Sequence, residues 1–331
     1  MAIGPARAGA TPGNGTPPAA DGTRGQAARG RLWRLLDSDL FYSFRRRPGV
    51  MLSAAIVLAF VVGAAFAPWV APHNPFDLAT LNLGDAMTPP AWTSAGSSTY
   101  LLGTDDQGRD VLSAILFGSR ISLAVGLLAS LVAMVAGVAL GLVSGYAGGK
   151  LDGFIMRVAD VQLSFPAILI ALLVDGLARA ALPREHQDQL AFWVLVISIA
   201  AAGWVNFART VRGSTLVERN KEYVQAARVI GRHPAAILFS HVLPNALGPV
   251  LVLVTLQVGA AIITEATLSF LGVGVPPTQP SLGTLIRIGN EFLFSGEWWI
   301  TAFPAAALVA LVLAINVLGD WLRDALNPRL R

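Results

Sequence analysis

Six apolar runs, each about long enough to cross a bilayer, dominate this chain: residues 50–71, 121–144, 154–177, 190–208, 246–270 and 301–320. A hydrocarbon core about 30 Å thick takes roughly 20 residues of helix. Within it only helices and closed barrels satisfy their own backbone polar groups. The runs lack the strict alternation of barrel strands. They therefore dictate an all-α integral membrane protein with six transmembrane helices. Only 13% of the residues are charged, against about 25% in a soluble domain. The third run opens on Arg157, Asp160 and Gln162, so its dry part is shorter than the others.

Residues 1–36 are rich in Gly, Ala, Pro and Thr, lack apolar periodicity, and read as a disordered cytoplasmic tail. Residues 37–120 read as the first span with a long outer loop, and 121–331 as a five-helix core. Ala65-Phe66-Ala67 resembles a cleavage site, but Pro68 follows and the preceding run is long enough to span, so it reads as an uncleaved helix. The absence of cysteine excludes disulfides and thiolate chemistry. His73, His186, His233 and His241 are scattered without metal-ligand spacing.

Basic residues near the span ends orient the bundle. Arg45, Arg46 and Arg47, then Lys150 and Arg157, then the cluster from Arg209 to Arg232, then Arg323, Arg329 and Arg331 mark one side. Residues 73–118 hold Asp77, Asp85, Asp105, Asp106 and Asp110 against Arg109. Both termini and the basic loop 209–245 are expected in the cytoplasm. The modest net charge of +4 reflects this orientation rather than nucleic-acid binding. Two outer segments exceed a simple turn and are expected either to cover the outer mouth of a pathway or to cap the bundle: 73–118, with a helical piece from Arg109 to Phe117, and 278–300, whose Trp298-Trp299 pair suits an interfacial belt.

The basic loop carries more than a turn. At helical spacing Tyr223, Ala226, Ala227 and Ile230 share one face, with Lys221, Gln225, Arg228 and Arg232 opposite. Gly231 suits a left-handed helix stop, Pro234 the first turn of a second helix, and Pro244 a boundary before the next span. Such a helix can dock on a partner outside the bilayer, or lie on its own protein or on headgroups.

Within the spans, Gly137, Gly141 and Gly145 recur at the spacing that lets helices approach closely, at an internal seam or a subunit contact. Glu265 is a carboxylate inside the fifth span and must face a partner, a cavity or the bundle interior. Asp160 lies nearer a span end. Arg209 is expected to snorkel. The closest approach to a phosphate cradle is Ser144 to Leu151; it lacks the first glycine and the Mg²⁺-binding hydroxyl, so the chain is expected to bind no ATP, metal or other cofactor and not to be an enzyme.

The run Glu222-Tyr223-Val224-Gln225-Ala226-Ala227-Arg228-Val229-Ile230-Gly231, with His241-Val242-Leu243-Pro244-Asn245, resembles the EAA cytoplasmic loop of ABC importer permeases. Ala226, Ala227, Gly231, Leu243 and Pro244 match the strict pattern; Gln225 replaces its glutamate and His241 its isoleucine, as in dipeptide/oligopeptide permeases. Leu102 to Ser113, Gly118 to Leu123, Glu265 to Gly272 and Asn316 to Arg329 resemble the "C" subunit of that subfamily. The resemblance covers roughly 37–331. It implies a type I importer permease fold in the bacterial inner membrane and pairing with a second, related permease. It also implies two cytoplasmic ATPase subunits that hold ATP and Mg²⁺, and an extracytoplasmic solute-binding protein. Glu222, Tyr223, Gln225, Ala226, Ala227, Arg228, Gly231, His241, Leu243 and Pro244 become the expected ATPase-coupling residues, and Glu265 and Asp160 the residues lining a pathway or holding helices together. The alternative is an ion-driven secondary transporter with Glu265 as proton relay.

Overall fold

The computed structural model describes residues 39–77, 81–276 and 278–326. The expected tail at 1–36 lies outside them. The chain divides into two units at the Arg47–Pro48 boundary. In the first, helix α1 (Asp39–Arg45) ends where Arg46 stacks 4.7 Å over the Tyr42 ring.

The second unit is a helical bundle. Its elements are α2 (Pro48–Ala65), α3 (Ala67–Val70), α4 (Val111–Ala147), α5 (Gly149–Leu163), α6 (Ala167–Ala181), α7 (Arg184–Glu218), α8 (Glu222–Val229), α9 (Pro234–Ile237), α10 (Leu243–Phe270), α11 (Leu282–Asn290) and α12 (Trp299–Leu326). Among the described residues five helices are long and apolar enough to cross a membrane, and α5 with α6 passes the same test together as a bent pair, a broken span or a re-entrant loop.

The break corrects the sequence reading of 154–177 as one helix. Chain direction turns by 100° between α5 and α6. Pro166 explains it: proline lacks the N–H that would continue the ladder and disfavours helix at the residue before it. A second correction concerns Arg109 to Phe117. The expected helical piece is present from Val111 on, but it belongs to the span rather than to the outer loop: it forms the first turns of α4, started by Asp110, whose carboxylate accepts the Ser113 amide at 3.0 Å. Likewise 278–300 does not simply lie over the bundle. Leu282, Thr284 and Leu285 of α11 are buried among α4 and α12. Trp299 is 7% exposed and donates its indole N–H to the Thr104 carbonyl at 3.0 Å. The expected interfacial tryptophan is thus an internal tie; Trp298 stays exposed.

α4 and α7 form the spine of the bundle, and the glycines made it so. A β-carbon on Gly141 would sit 2.5 Å from the Ala208 carbonyl oxygen, and one on Gly137 2.5 Å from the Trp204 oxygen; on Gly145 it would meet Thr215 at 2.7 Å. All three contacts are with α7, so this seam lies inside the chain. Close backbone approach is what small-residue repeats achieve in lipid.

Candidate functional site

The motif-bearing loop begins where α7 ends. α8 carries Glu222 in its first turn, where a carboxylate meets the positive end of the helix. It stops at Gly231, whose φ is +78°. The Gly231 amide donates to the Arg228 carbonyl at 3.0 Å and the Arg232 amide to that of Ala227 at 3.1 Å, the paired bonds of a Schellman stop. α9 then starts on Pro234, and a π-helical segment, Leu238–Val242, joins it to α10. Pro234–Phe270 therefore reads as one continuous rod. Pro244 marks the change from π to α winding rather than a break.

The faces of α8 differ from the sequence reading. Val224 and Ala227 are buried, in a cluster with Phe207 and Val211 of α7, Leu142 of α4, Ile237, Val242 and Val250. Ala227, expected to share one face with Tyr223, Ala226 and Ile230, is instead turned inward, away from those three. The physical reason is that α8 must hide an apolar stripe on the bundle, and Val224 and Ala227, one turn apart, form it. Outward lie Ala226, Val229 (87% exposed) and Ile230 (75% exposed), flanked by the half-exposed Tyr223.

A polar net fixes this arrangement. Tyr223 donates to the Glu218 carboxylate, which also takes Lys221 at 2.6 Å. That hydrogen bond, with some burial, raises the Tyr223 pKa above its usual value. The Tyr223 oxygen accepts from Asn245 at 3.2 Å, and Asn245 donates to the His241 carbonyl at 2.7 Å, so α8 is tied to the first turn of α10. His241 packs edge-on to Tyr223 and its Nε2 lies 3.0 Å from Arg232. Gln225 reaches back to the Asn220 carbonyl at 3.0 Å. Arg228 stacks 5.2 Å over Tyr146 of α4. Leu243 packs partly buried against the apolar cluster, while Pro244 is exposed.

The neighbouring helix ends are locked too. Asp152 of α5 takes both Arg212 nitrogens, at 2.5 and 2.7 Å, and the Ser144 hydroxyl. Arg219 donates to the Gly145 carbonyl at 2.7 Å, capping α4. Asp160 pairs with Arg209, so Arg209 does not simply snorkel; the pair holds α5 to α7. Glu218, Asp152 and Arg212 were not singled out from sequence as site residues, and Asn245 only as part of the motif. Their partners lie on other turns and other helices, which spacing along one helix does not show.

Glu265 is fully buried. Ser122 of α4 donates to one of its oxygens and Ser269 to the other, both at 2.7 Å, and Ser122 in turn accepts the Leu282 amide at 3.2 Å. These bonds join α4, α10 and α11. Among the described residues no cluster of His, Asp and Glu is arranged to hold a metal ion.

Comparison with known proteins places this architecture. Residues 137–331 match the family described as binding-protein-dependent transport system inner membrane component. Residues 37–90 match the N-terminal TM domain of oligopeptide transport permease C. Among curated relatives, the dipeptide transport system permease protein DppC of Haemophilus influenzae is 35% identical over 88% of this chain and 95% of its own length. The oligopeptide transport system permease protein OppC of Bacillus subtilis is 37% identical over 91% and 90%. The glutathione transport system permease protein GsiD of Pectobacterium atrosepticum is 36% identical over 90% and 92%. A chain of the MetNI methionine ABC transporter, solved in inward-facing conformations, shares the fold at a TM-score of 0.51 and 18% identity, covering 65% of this chain and 96% of that one. The relatives support ABC-driven rather than ion-driven transport. The chain belongs to the family of binding-protein-dependent transport system inner membrane components, and is the multi-pass permease subunit of an ABC importer.

Proposed function

We propose that this subunit carries peptides, or solutes of similar size and charge, inward, and that residues 221–245 receive the ATPase stroke. It pairs with a second, related permease. Two ATPase subunits bind beneath and hold the ATP and Mg²⁺. A solute-binding protein delivers cargo to the opposite face, and both termini lie in the cytoplasm. The observation that carries the reading is the construction of α8. Its underside is packed into the bundle, its top offers Val229 and Ile230 to solvent, and it is tied through Asn245 to a rod that runs into the span. An apolar top on a braced base suits a contact that must push without deforming. The peptide class rests on the names of the relatives.

The test is Val229→Asp with Ile230→Asp in the assembled transporter. The double variant should insert and fold normally, lose copurification with the ATPase subunits, and lose ATP-dependent uptake. Normal copurification and uptake would remove the coupling role. Uptake by this chain alone, collapsing with a proton gradient, would restore the ion-driven alternative.

A further inference from the structure

At the end of the bundle away from α8, three depressions of about 450, 300 and 190 Å³ adjoin. The first two share Ile121, Thr278 and Gln279; the last two share Asp188, Val275 and Pro276. They form one groove. Its 450 Å³ end is walled by Phe76 and Phe117, edge to face at 5.3 Å, with Arg120 beside them. Phe192 walls the middle. The 190 Å³ end holds Asp188, Arg287, Arg179 and Ser269.

The charges here differ from the ion-paired ones elsewhere in the bundle. Arg179 belongs to the wall: it pairs with buried Asp175 at 2.7 Å and donates to the Gly274 carbonyl at 2.9 Å. Arg120, Asp188 and Arg287 have no ion pair or hydrogen-bonding side-chain partner among the described residues. Asp188 and Arg287 line the same small depression yet are not paired with each other. The Arg287 Nε is buried without an acceptor, and its guanidinium lies against Gly272, where a β-carbon would start 3.9 Å from Nη1. A buried donor without an acceptor is costly unless a ligand supplies one.

We infer that this groove binds a short zwitterionic peptide, its carboxylate on Arg287, its ammonium on Asp188 and an apolar side chain against Phe192. The inference rests on the peptide-import reading and deepens it: cargo is held by this subunit, not only by the solute-binding protein. A free carboxylate and a free ammonium on one small molecule match the two unpaired charges in one depression. Charge-assisted bonds of this kind are the strong ones, and apolar walls with few convergent polar groups are what small-ligand sites share.

The test uses the complete transporter with its binding protein in nanodiscs, and a photoreactive alanyl-photoleucine dipeptide. Light should attach the probe to this chain near Phe192, Thr278 or Gln279. Alanyl-alanine should compete, whereas its N-acetyl and C-amide forms should not. Arg287→Gln and Asp188→Asn should each cut labelling about tenfold or more, with Arg287→Lys retaining part of it. Copurification of all subunits guards against misfolding. Equal labelling in both variants, or equal competition by the capped dipeptides, would overturn the inference alone. Labelling of the partner permease only would do the same. Failure of the wild-type complex to take up alanyl-alanine in proteoliposomes would overturn the peptide reading and this site with it.

Discussion

The base of α8 and the open positions of the far groove treat charge differently. Around α8 and the ends of α4, α5 and α7, Asp152 holds Arg212, Asp160 holds Arg209, Glu218 holds Lys221 and Tyr223, and Arg219 caps α4. In the groove at the far end, Arg120, Asp188 and Arg287 find no ion-pair or side-chain hydrogen-bond partner among the described residues. The difference separates two mechanical duties. A surface that transmits force gains from closed networks, which leave little freedom to deform. A surface that holds cargo briefly needs groups left open for the cargo to satisfy.

The sharpest way to break this contrast is Ala227→Asp. It would place a carboxylate among Phe207, Val211 and Ile237, a loss of roughly 3 kcal/mol or more, seen as a lower thermal unfolding midpoint of the detergent-solubilised complex. A midpoint unchanged from wild type would mean that α8 is not seated on the bundle. Gly141→Leu comes next. Its side chain would meet the backbone of α7, and overpacking of this kind destabilises by about 1–3 kcal/mol. Arg212→Ala should lose a comparable ~1–3 kcal/mol by removing a bidentate, charge-assisted pair, and should weaken coupling before it weakens insertion. Arg287→Gln should move stability by no more than about 0.5 kcal/mol while removing labelling by the peptide probe; a large stability loss there would make the far end a structural network like the near one.

The smallest effect concerns Asp106. Burial, then the neighbouring Asp105 charge, push its pKa up, with Arg109 partly opposing. A raised carboxyl pKa means the fold favours the protonated form. That contribution is present below the unfolded value and lost as pH rises through the folded one. Asp106→Asn should therefore stabilise slightly, by at most ~1 kcal/mol, more at neutral than at acidic pH. A variant less stable at neutral pH would show the carboxylate to be held by Arg109 instead.

Much of this architecture was legible in the sequence because lipid leaves few choices. Five of the six spans, the Gly231 stop, the first turn at Pro234 and the seam at Gly137, Gly141 and Gly145 each follow from one local rule, and each is present. The inward turn of Ala227 was not legible. Val224 and Ala226 compete for the same face on hydrophobicity, and only the positions of Phe207 and Val211 on α7 decide which face is hidden. The 100° break at Pro166 was missed because the apolar run continues through it unchanged, although the proline itself was the available signal. The groove was invisible for a different reason. Arg120, Asp188 and Arg287 belong to three helices, and nothing in their spacing foretells that they line one groove while remaining unpaired among the described residues.

The chain has no cysteine, so Val229→Cys introduces a single reactive thiol at the top of α8. Its labelling by a membrane-impermeant maleimide can be followed in right-side-out and inverted vesicles, with and without the ATPase subunits. The expected result is labelling only in inverted vesicles, with strong protection once the ATPases are bound. Labelling from the outer side, or labelling that bound ATPases leave unchanged, would contradict the assignment of α8 as the point where the ATPases drive this permease.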